Sequence, residues 1–465
     1  MNSSGGSEGL GQRKVAVIGA GMAGLCTLRH FAPDPNYAVV AFERMSTIAG
    51  IWNYPAPECE QFAELDEPET SSRYCRIYRD LRTNSPRDLT GYPDFPFPKQ
   101  DESYVKREMV VQYYHKYAKH FDLLRLIKFR HQVSFVKPIR DASGKVRKWH
   151  LEALDLESGR TFADEYDIVV VCNGHYHKPN IPKLEGIENF RGRIIHSSQY
   201  RIPEPFTNKI VLVIGARSSA MDIACELIPY AKQIIVSRRF QASVFKDKFP
   251  NVTETTELTS FGPDHVVLRD GSIRPVDEIV LCTGFVYDFP FLSPDCNVHC
   301  TRGRVYPLYR HLIHCENPSL AFVGLANMAV FSHVANAQVQ YYKAVLDGRL
   351  ALPSTPEMLA ASEKDLQDKL AAGSPEHLAH EMTVSQWDYM ERLAKEAEFP
   401  SYEPSTRRLF ELNIMGIRTM PYGFRNFRME KIDRDNFVRE PIEPGSKAAI
   451  ANGRPTTTVP NGIAS

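Results

Sequence analysis

Gly19, Gly21 and Gly24 stand in the order GxGxxG directly after an apolar run, KVAVI. Each glycine has its own task in holding a diphosphate. The first permits a tight turn, the second lets backbone N–H groups approach the phosphates, and the third lets the following helix pack closely on the strand. The helix then turns its positive end toward the anion. Glu43 ends the next apolar run, YAVVAFE, where an acid accepts hydrogen bonds from ribose hydroxyls. An acid there repels a 2′-phosphate, so the pattern fits FAD or NAD rather than NADP. Taken without its context, the same pattern is a structural turn beside a surface glutamate. Trp52, in AGIWNY, is either a flat neighbour for an isoalloxazine ring or a core tryptophan.

A second, degraded version follows in VIGARSSA. Gly215 is kept, but Arg217 stands where the second glycine is expected. Ser218 and Ser219 offer hydroxyls to a phosphate, and Arg217 offers charge. The next apolar run ends in Ser237, Arg238 and Arg239, so cations replace the acid of the first set. Arginine forks match a 2′-phosphate, which selects NADP over NAD. The alternative is a solvated basic corner.

These residues need strands that end at the turns and helices that begin there. KVAVIGAGMAGLCTLRH (14–30) has the pattern strand, turn, helix, and KIVLVIGARSSAMDIACEL (209–227) repeats it. YAVVAFER (37–44) and QIIVSRR (233–239) follow as second strands. DIVVVCNG and EIVLCTGF each give a buried strand that closes on glycine. QVSFVKPIR and KWHLEALDL are expected to form a hairpin or meander turned at DASGK. Residues 54–104 are rich in Pro, Asp and Tyr and are expected to be loops and short turns. Residues 107–121 and 353–398 carry helical spacing, the latter opening on a plausible cap at STPE.

The bulk numbers exclude other classes. The chain has 465 residues, with 56 Lys and Arg against 56 Asp and Glu, which gives no electrostatic footprint for nucleic acid. Nine scattered cysteines without any CxxC argue for a reducing compartment, against a metal site and against a disulfide reductase. The most apolar stretch, 319–331, is too short to span a bilayer, and the N-terminus lacks the apolar core of a signal peptide.

One more stretch carries a pattern. FRGRIIHSSQY places Phe190, Gly192, His196 and Tyr200 just before the second unit. It resembles the FxGxxxHxxxY/F fingerprint of the flavin-containing monooxygenases and their class B relatives. LRTNSPRDLTGYPDFPFP (81–98), CNGHYHKPNIP, CTGFVYDFPFL and NAQVQYYKAVLDG resemble other segments of that family, and the likeness covers about residues 13–430. The resemblance implies an α/β chain with two Rossmann-like dinucleotide-binding domains in three layers, the smaller inserted in the larger. Residues 13–204 and 290–440 would form the FAD domain and 205–289 the NADPH domain, with disordered tails at 1–12 and 441–465.

The resemblance further implies that NADPH reduces FAD, that the reduced flavin takes O2 to a C4a-hydroperoxide, and that a soft nitrogen or sulfur atom attacks it. The activity would resemble that of N,N-dimethylaniline monooxygenase. Asn84, in LRTN, matches the family asparagine over the flavin and would donate to oxygen or NADP+ without titrating. On its own residues it is an Asn-Ser-Pro turn. Gln338 matches a family residue that contacts FAD, against a plain reading as helix surface. His196 and Tyr200 would support the cofactor geometry, with His196 equally readable as a packing histidine; His175 and His177 receive no role. Arg217 and Ala49 stand where the family often has glycine, and the chain lacks the apolar C-terminal anchor of microsomal members. The expected partners are a small nucleophile and O2, the expected location is cytoplasmic with peripheral membrane association left open, and a homo-oligomer is neither required nor excluded. A Baeyer–Villiger ketone oxygenase, an NADPH oxidase and a non-catalytic redox sensor remain as alternatives.

Overall fold

The computed structural model describes residues 11–54, 76–100, 102–215, 217–238, 245, 248–256, 258–301, 303–420 and 422–442. Arg239 lies outside them. Two sheets organise the chain, the larger parallel at its centre with an antiparallel edge at Ile313–His314 and Leu308–Tyr309, the smaller parallel throughout. The larger has seven strands, with Arg13–Ile18 between Tyr37–Glu43 and Ile168–Val171; Ile127–Phe129 extends one side, and Leu320–Phe322, Ile313–His314 and Leu308–Tyr309 the other. The smaller has five strands in the order Val252–Thr255, Gln233–Ser237, Ile210–Ile214, Glu278–Leu281, Arg193–His196, all parallel.

Strand periodicity decides which side chains face which layer. In the first strand Val15 and Val17 join the core beneath helix Met22–Phe31, together with Leu25 and Leu28. Ala16 and Ile18 point the other way, onto Trp149, Leu151 and Ala153 of an antiparallel sheet built from His131–Arg140, Val146–Asp155 and Thr161–Tyr166. The smaller unit repeats this plan. Val211 and Val213 pack with Ala220, Ile223 and Leu227 of helix Ser218–Leu227, while Leu212 packs with Phe261 and Val266 of the antiparallel sheet Leu258–Phe261, His265–Leu268 and Ile273–Pro275. Each unit is three layers, and every central strand is apolar on both faces, as buried parallel strands must be.

The expected meander and both strand–turn–helix units are present. Helices Thr355–Ala371 and Gln386–Ala397 occupy the charged stretch, the first opened by a capping box between Ser354 and Glu357. In the segment expected to be loops, the one helix among the described residues is Arg87–Thr90. The division expected at 204/205 cuts across the smaller sheet, because its edge strand is Arg193–His196. The two crossings pair with each other instead: Lys178–Pro179 runs antiparallel to Phe285–Val286, and Asn180 N–H donates to the Gly284 carbonyl at 2.9 Å. At the C-terminal end, Phe427–Lys431 pairs with Phe437–Pro441, so an ordered strand reaches the start of the expected tail.

Candidate active site

The two glycine turns share the same pair of strand-end hydrogen bonds. The Gly19 N–H donates to the Phe42 carbonyl and the Cys172 N–H to that of Ile18; in the second unit Gly215 donates to Ser237 and Cys282 to Ile214. Gly19 has φ +103° and Gly215 +143°, and a Cβ on either would strike a carbonyl, Cys172 O at 2.6 Å or Cys282 O at 2.4 Å. No other residue fits. A Cβ on Gly24 would lie 1.9 Å from the Gly19 oxygen, which is the close helix–strand approach.

The first turn fits a diphosphate. No side chain caps the helix that opens at Met22, and its first turn holds no acid. A Cβ on Gly21 would rest on Gly50 Cα at 3.6 Å, an ordinary contact, and the first amides of the helix have no helical acceptor. Glu43 is buried, and its carboxylate turns inward. It accepts from the Ala20 N–H at 2.8 Å and the Met45 N–H at 2.9 Å, and burial raises its pKa against those bonds. It therefore braces the turn itself, leaving only its remaining lone pairs for a ribose. Trp52 lies half-buried against the core of the larger unit, in the short turn Gly50–Trp52. Ala49 takes φ +79°, the left-handed conformation that explains the glycine usual there.

The second turn holds surprises. Helix Ser218–Leu227 also opens without a side-chain cap. Ser218 is half-buried and Ser219 exposed at that end. Arg217 reaches across to the larger unit and pairs with Glu381 at 2.7 Å. Ser237 is buried at the strand end, and Arg238 pairs with Glu254 of the neighbouring strand at 2.7 Å, both nearly buried. Two cations expected for phosphate are thus matched to carboxylates within the protein.

Asn84 sits where the units meet. Its side-chain oxygen accepts from Arg425 Nη2 at 2.6 Å, and its main-chain oxygen from Asn413 Nδ2 at 2.9 Å. Arg425 Nη1 donates to Asp222 at 2.6 Å, on the helix of the second turn. Tyr78 also donates to Asp222, and stacks edge-on with Tyr200.

The fingerprint is structural throughout. A Cβ on Gly192 would lie 2.3 Å from the Asp277 oxygen, and Phe190 is buried beside it. His196 accepts from the Ser198 N–H at 3.1 Å and donates through Nε2 to the Gly284 carbonyl at 3.0 Å, which fixes its tautomer and holds the crossing. Tyr200 is fully buried and donates to Glu226 at 2.5 Å. Gln338 is also fully buried, not helix surface: Oε1 accepts from the Gly324 N–H at 3.1 Å, and Nε2 donates to Tyr389 at 2.9 Å. His175 donates to the Gly324 carbonyl at 3.1 Å, so both residues grip the glycine that faces Ala23.

Sequence reading missed Arg425, Asp222, Glu254 and Glu381. Only Asp222 carried a signal, an acid inside the otherwise apolar SSAMDIACEL, where a buried charge demands a partner. Among the described residues no cluster of His, Cys, Asp and Glu could hold a metal ion, and no helix is long and apolar enough to cross a membrane.

The chain as a whole is similar to known proteins. The family model for flavin-binding monooxygenase-like proteins matches residues 12–253 and 244–412. The chain is similar to flavin-containing monooxygenase FMO GS-OX4 of Arabidopsis thaliana, 31% identical over 468 residues, which is 97% of this chain and 98% of that protein. Among solved structures, S-allyl-L-cysteine S-oxygenase from Allium sativum superimposes with a TM-score of 0.81 at 31% identity, covering 91% of this chain and 96% of that one. Tmm from Pelagibacter sp. strain HTCC7211 gives 0.78 at 25% identity, covering 94% and 98%.

Proposed function

Because the chain belongs to the flavin-containing monooxygenase family, we propose that it oxygenates a soft sulfur or nitrogen atom of a small molecule, sulfur first, using NADPH and O2. The family's cofactors are FAD and NADPH. Bound flavin supplies the two-electron chemistry and the activation of O2, and the nicotinamide supplies hydride.

The observation that carries the reading is the pair of matched turns joined at a single asparagine. The turn at Gly19, Gly21 and Gly24, braced by Glu43, would hold the diphosphate of FAD. Gly215 with Ser218 and Ser219 would hold that of NADPH. Ser237 and Arg238 stand at the strand end where a 2′-phosphate would lie, and Arg239 completes the basic run in the sequence. Asn84 presents a neutral amide at the junction, a donor that cannot protonate and discharge an oxygen species. His196 holds the crossing between the units, Tyr200 anchors the segment inside the smaller unit through Glu226, and Gln338 with His175 fixes Gly324 beside the first turn. Preference for sulfur is supported by the likeness to an S-oxygenase.

The test is product analysis with FAD-loaded protein and NADPH, offered a thioether, a tertiary amine and a ketone. A sulfoxide or N-oxide formed one-for-one with NADPH supports the reading. An ester from the ketone alone overturns it in favour of Baeyer–Villiger chemistry. Hydrogen peroxide matching all NADPH, with no oxygenated product, overturns it in favour of an oxidase. Parallel runs with NADH test the nicotinamide preference, since Arg238 already faces Glu254.

A further inference from the structure

We propose that Arg425 is a positioning residue for Asn84. It fixes which end of the Asn84 amide faces the reaction and ties that orientation to the helix of the second nucleotide turn. The proposal rests on the reading of Asn84 given above.

A guanidinium only donates. Its 2.6 Å contact with Asn84 Oδ1 therefore commits the amide oxygen and leaves the Nδ2 hydrogens as the group that can serve oxygen or cofactor. An unheld asparagine turns freely between donor and acceptor faces. Here the main chain is held too, by Asn413 on the Asn84 carbonyl, while Arg425 Nε and Nη2 hold the carbonyls of Thr83 and Arg82 at 3.2 and 3.4 Å. Asn84 is thus fastened from the C-terminal segment at both its amide and its backbone.

The same guanidinium reaches the second unit. Nη1 meets Asp222 at 2.6 Å, with side-chain exposures of 9% and 10%. Asp222 lies on helix Ser218–Leu227, whose first residues would meet the diphosphate of NADPH. Bonds made in low dielectric are strong and directional, and a buried guanidinium does not slip between partners cheaply. The position of that helix and the orientation of the Asn84 amide are therefore set by one planar group. A shift of that helix and a turn of the Asn84 amide are thereby coupled through one guanidinium.

The experiment compares FAD-loaded wild type, R425K, N84A and the double variant. Lysine keeps a positive charge beside Asp222 but has no planar fork. Three quantities are read: the melting midpoint, the NADP+ dissociation constant from perturbation of the flavin spectrum, and the fraction of consumed NADPH that ends as hydrogen peroxide. R425K should retain FAD, weaken NADP+ about tenfold, as loss of one buried charged hydrogen bond does, and raise the peroxide fraction. N84A should raise the peroxide fraction in the same way, and at saturating NADPH the double variant should release no more peroxide than N84A. If R425K matches wild type in both quantities while N84A departs, or if the peroxide losses in the double variant multiply, the proposal is overturned. If N84A itself behaves as wild type, the reading of Asn84 fails first and this proposal goes with it. D222N, which loosens Arg425 from the helix and leaves the arginine in place, decides the matter should R425K not fold: it should move NADP+ binding and the peroxide fraction the same way, and wild-type values overturn the coupling.

Discussion

At His196 both ring nitrogens are committed, and the cost falls in acid. Burial holds its pKa down to about 4, against an ordinary 6.5, and His175 is held to about 4 for the same reason. The native chain therefore keeps these rings neutral at pH values where the unfolded chain already binds protons. Stability is complete above pH 6.5 and declines as pH falls toward 4, by about 1–3 kcal/mol for each ring. Urea midpoints should fall across that window. His196→Gln keeps a donor for Gly284 but cannot titrate, so it should lower the midpoint at pH 7.5 and flatten the decline. A slope equal to that of wild type would mean the native ring is already charged. Position by position, chemistry and structure have divided these residues: His196 is spent on the crossing, and Asn84 has its amide oxygen committed to Arg425.

A short element does the joining. Strand Arg193–His196 is the edge of the smaller sheet, and its entry depends on Gly192 lying against the main chain of Asp277. Gly192→Ala puts a methyl 2.3 Å from that carbonyl oxygen, with the Phe190 ring 2.6 Å away on another side. The Phe190 ring can shift, but the Asp277 carbonyl is main chain and cannot retreat without lifting the strand, so the variant should lose about 1–3 kcal/mol and bind NADP+ more weakly than FAD. Unfolding curves and separate cofactor titrations check both parts; equal loss of the two cofactors would place the damage elsewhere. The glycine turns, their strands and the meander were legible in the sequence because their causes are local: positive φ, close backbone approach and period-two alternation all lie within a few residues. The edge strand was not, because four residues inside a recognisable motif give no periodicity of their own. Nor was Arg425, whose contact with Asp222 spans 203 positions of sequence. Glu43 shows a subtler limit. It does end its strand as the spacing predicts, but only packing reveals that the carboxylate turns toward the loop it supports.

Across the whole molecule, two copies of one plan face each other, and what differs between them governs how they communicate. The larger unit keeps glycine at the second position of its turn, whereas the smaller has Arg217, which leaves its own turn and pairs with Glu381 of the larger unit. Glu381 is itself placed by its bridge to Asn327, with Lys369 donating to its main-chain carbonyl at 2.7 Å. Arg217 is half exposed, so the pair adds only about 0–1 kcal/mol to stability. If Arg217 serves the nucleotide as proposed, a diphosphate arriving at the helix that opens at Ser218 would compete with Glu381 for the same guanidinium. Glu381→Gln should leave the melting point almost unchanged and tighten NADP+ about two- to fivefold, the worth of one released exposed ion pair. Arg217→Gly should instead weaken NADP+ by removing the charge altogether. Both effects should shrink at high salt, since the partners are solvent-screened. Titration of NADP+ at low and high salt separates the cases: if Glu381→Gln weakens binding as Arg217→Gly does, the ion pair serves to hold the two units together over the ligand, and competition for the arginine is not its role.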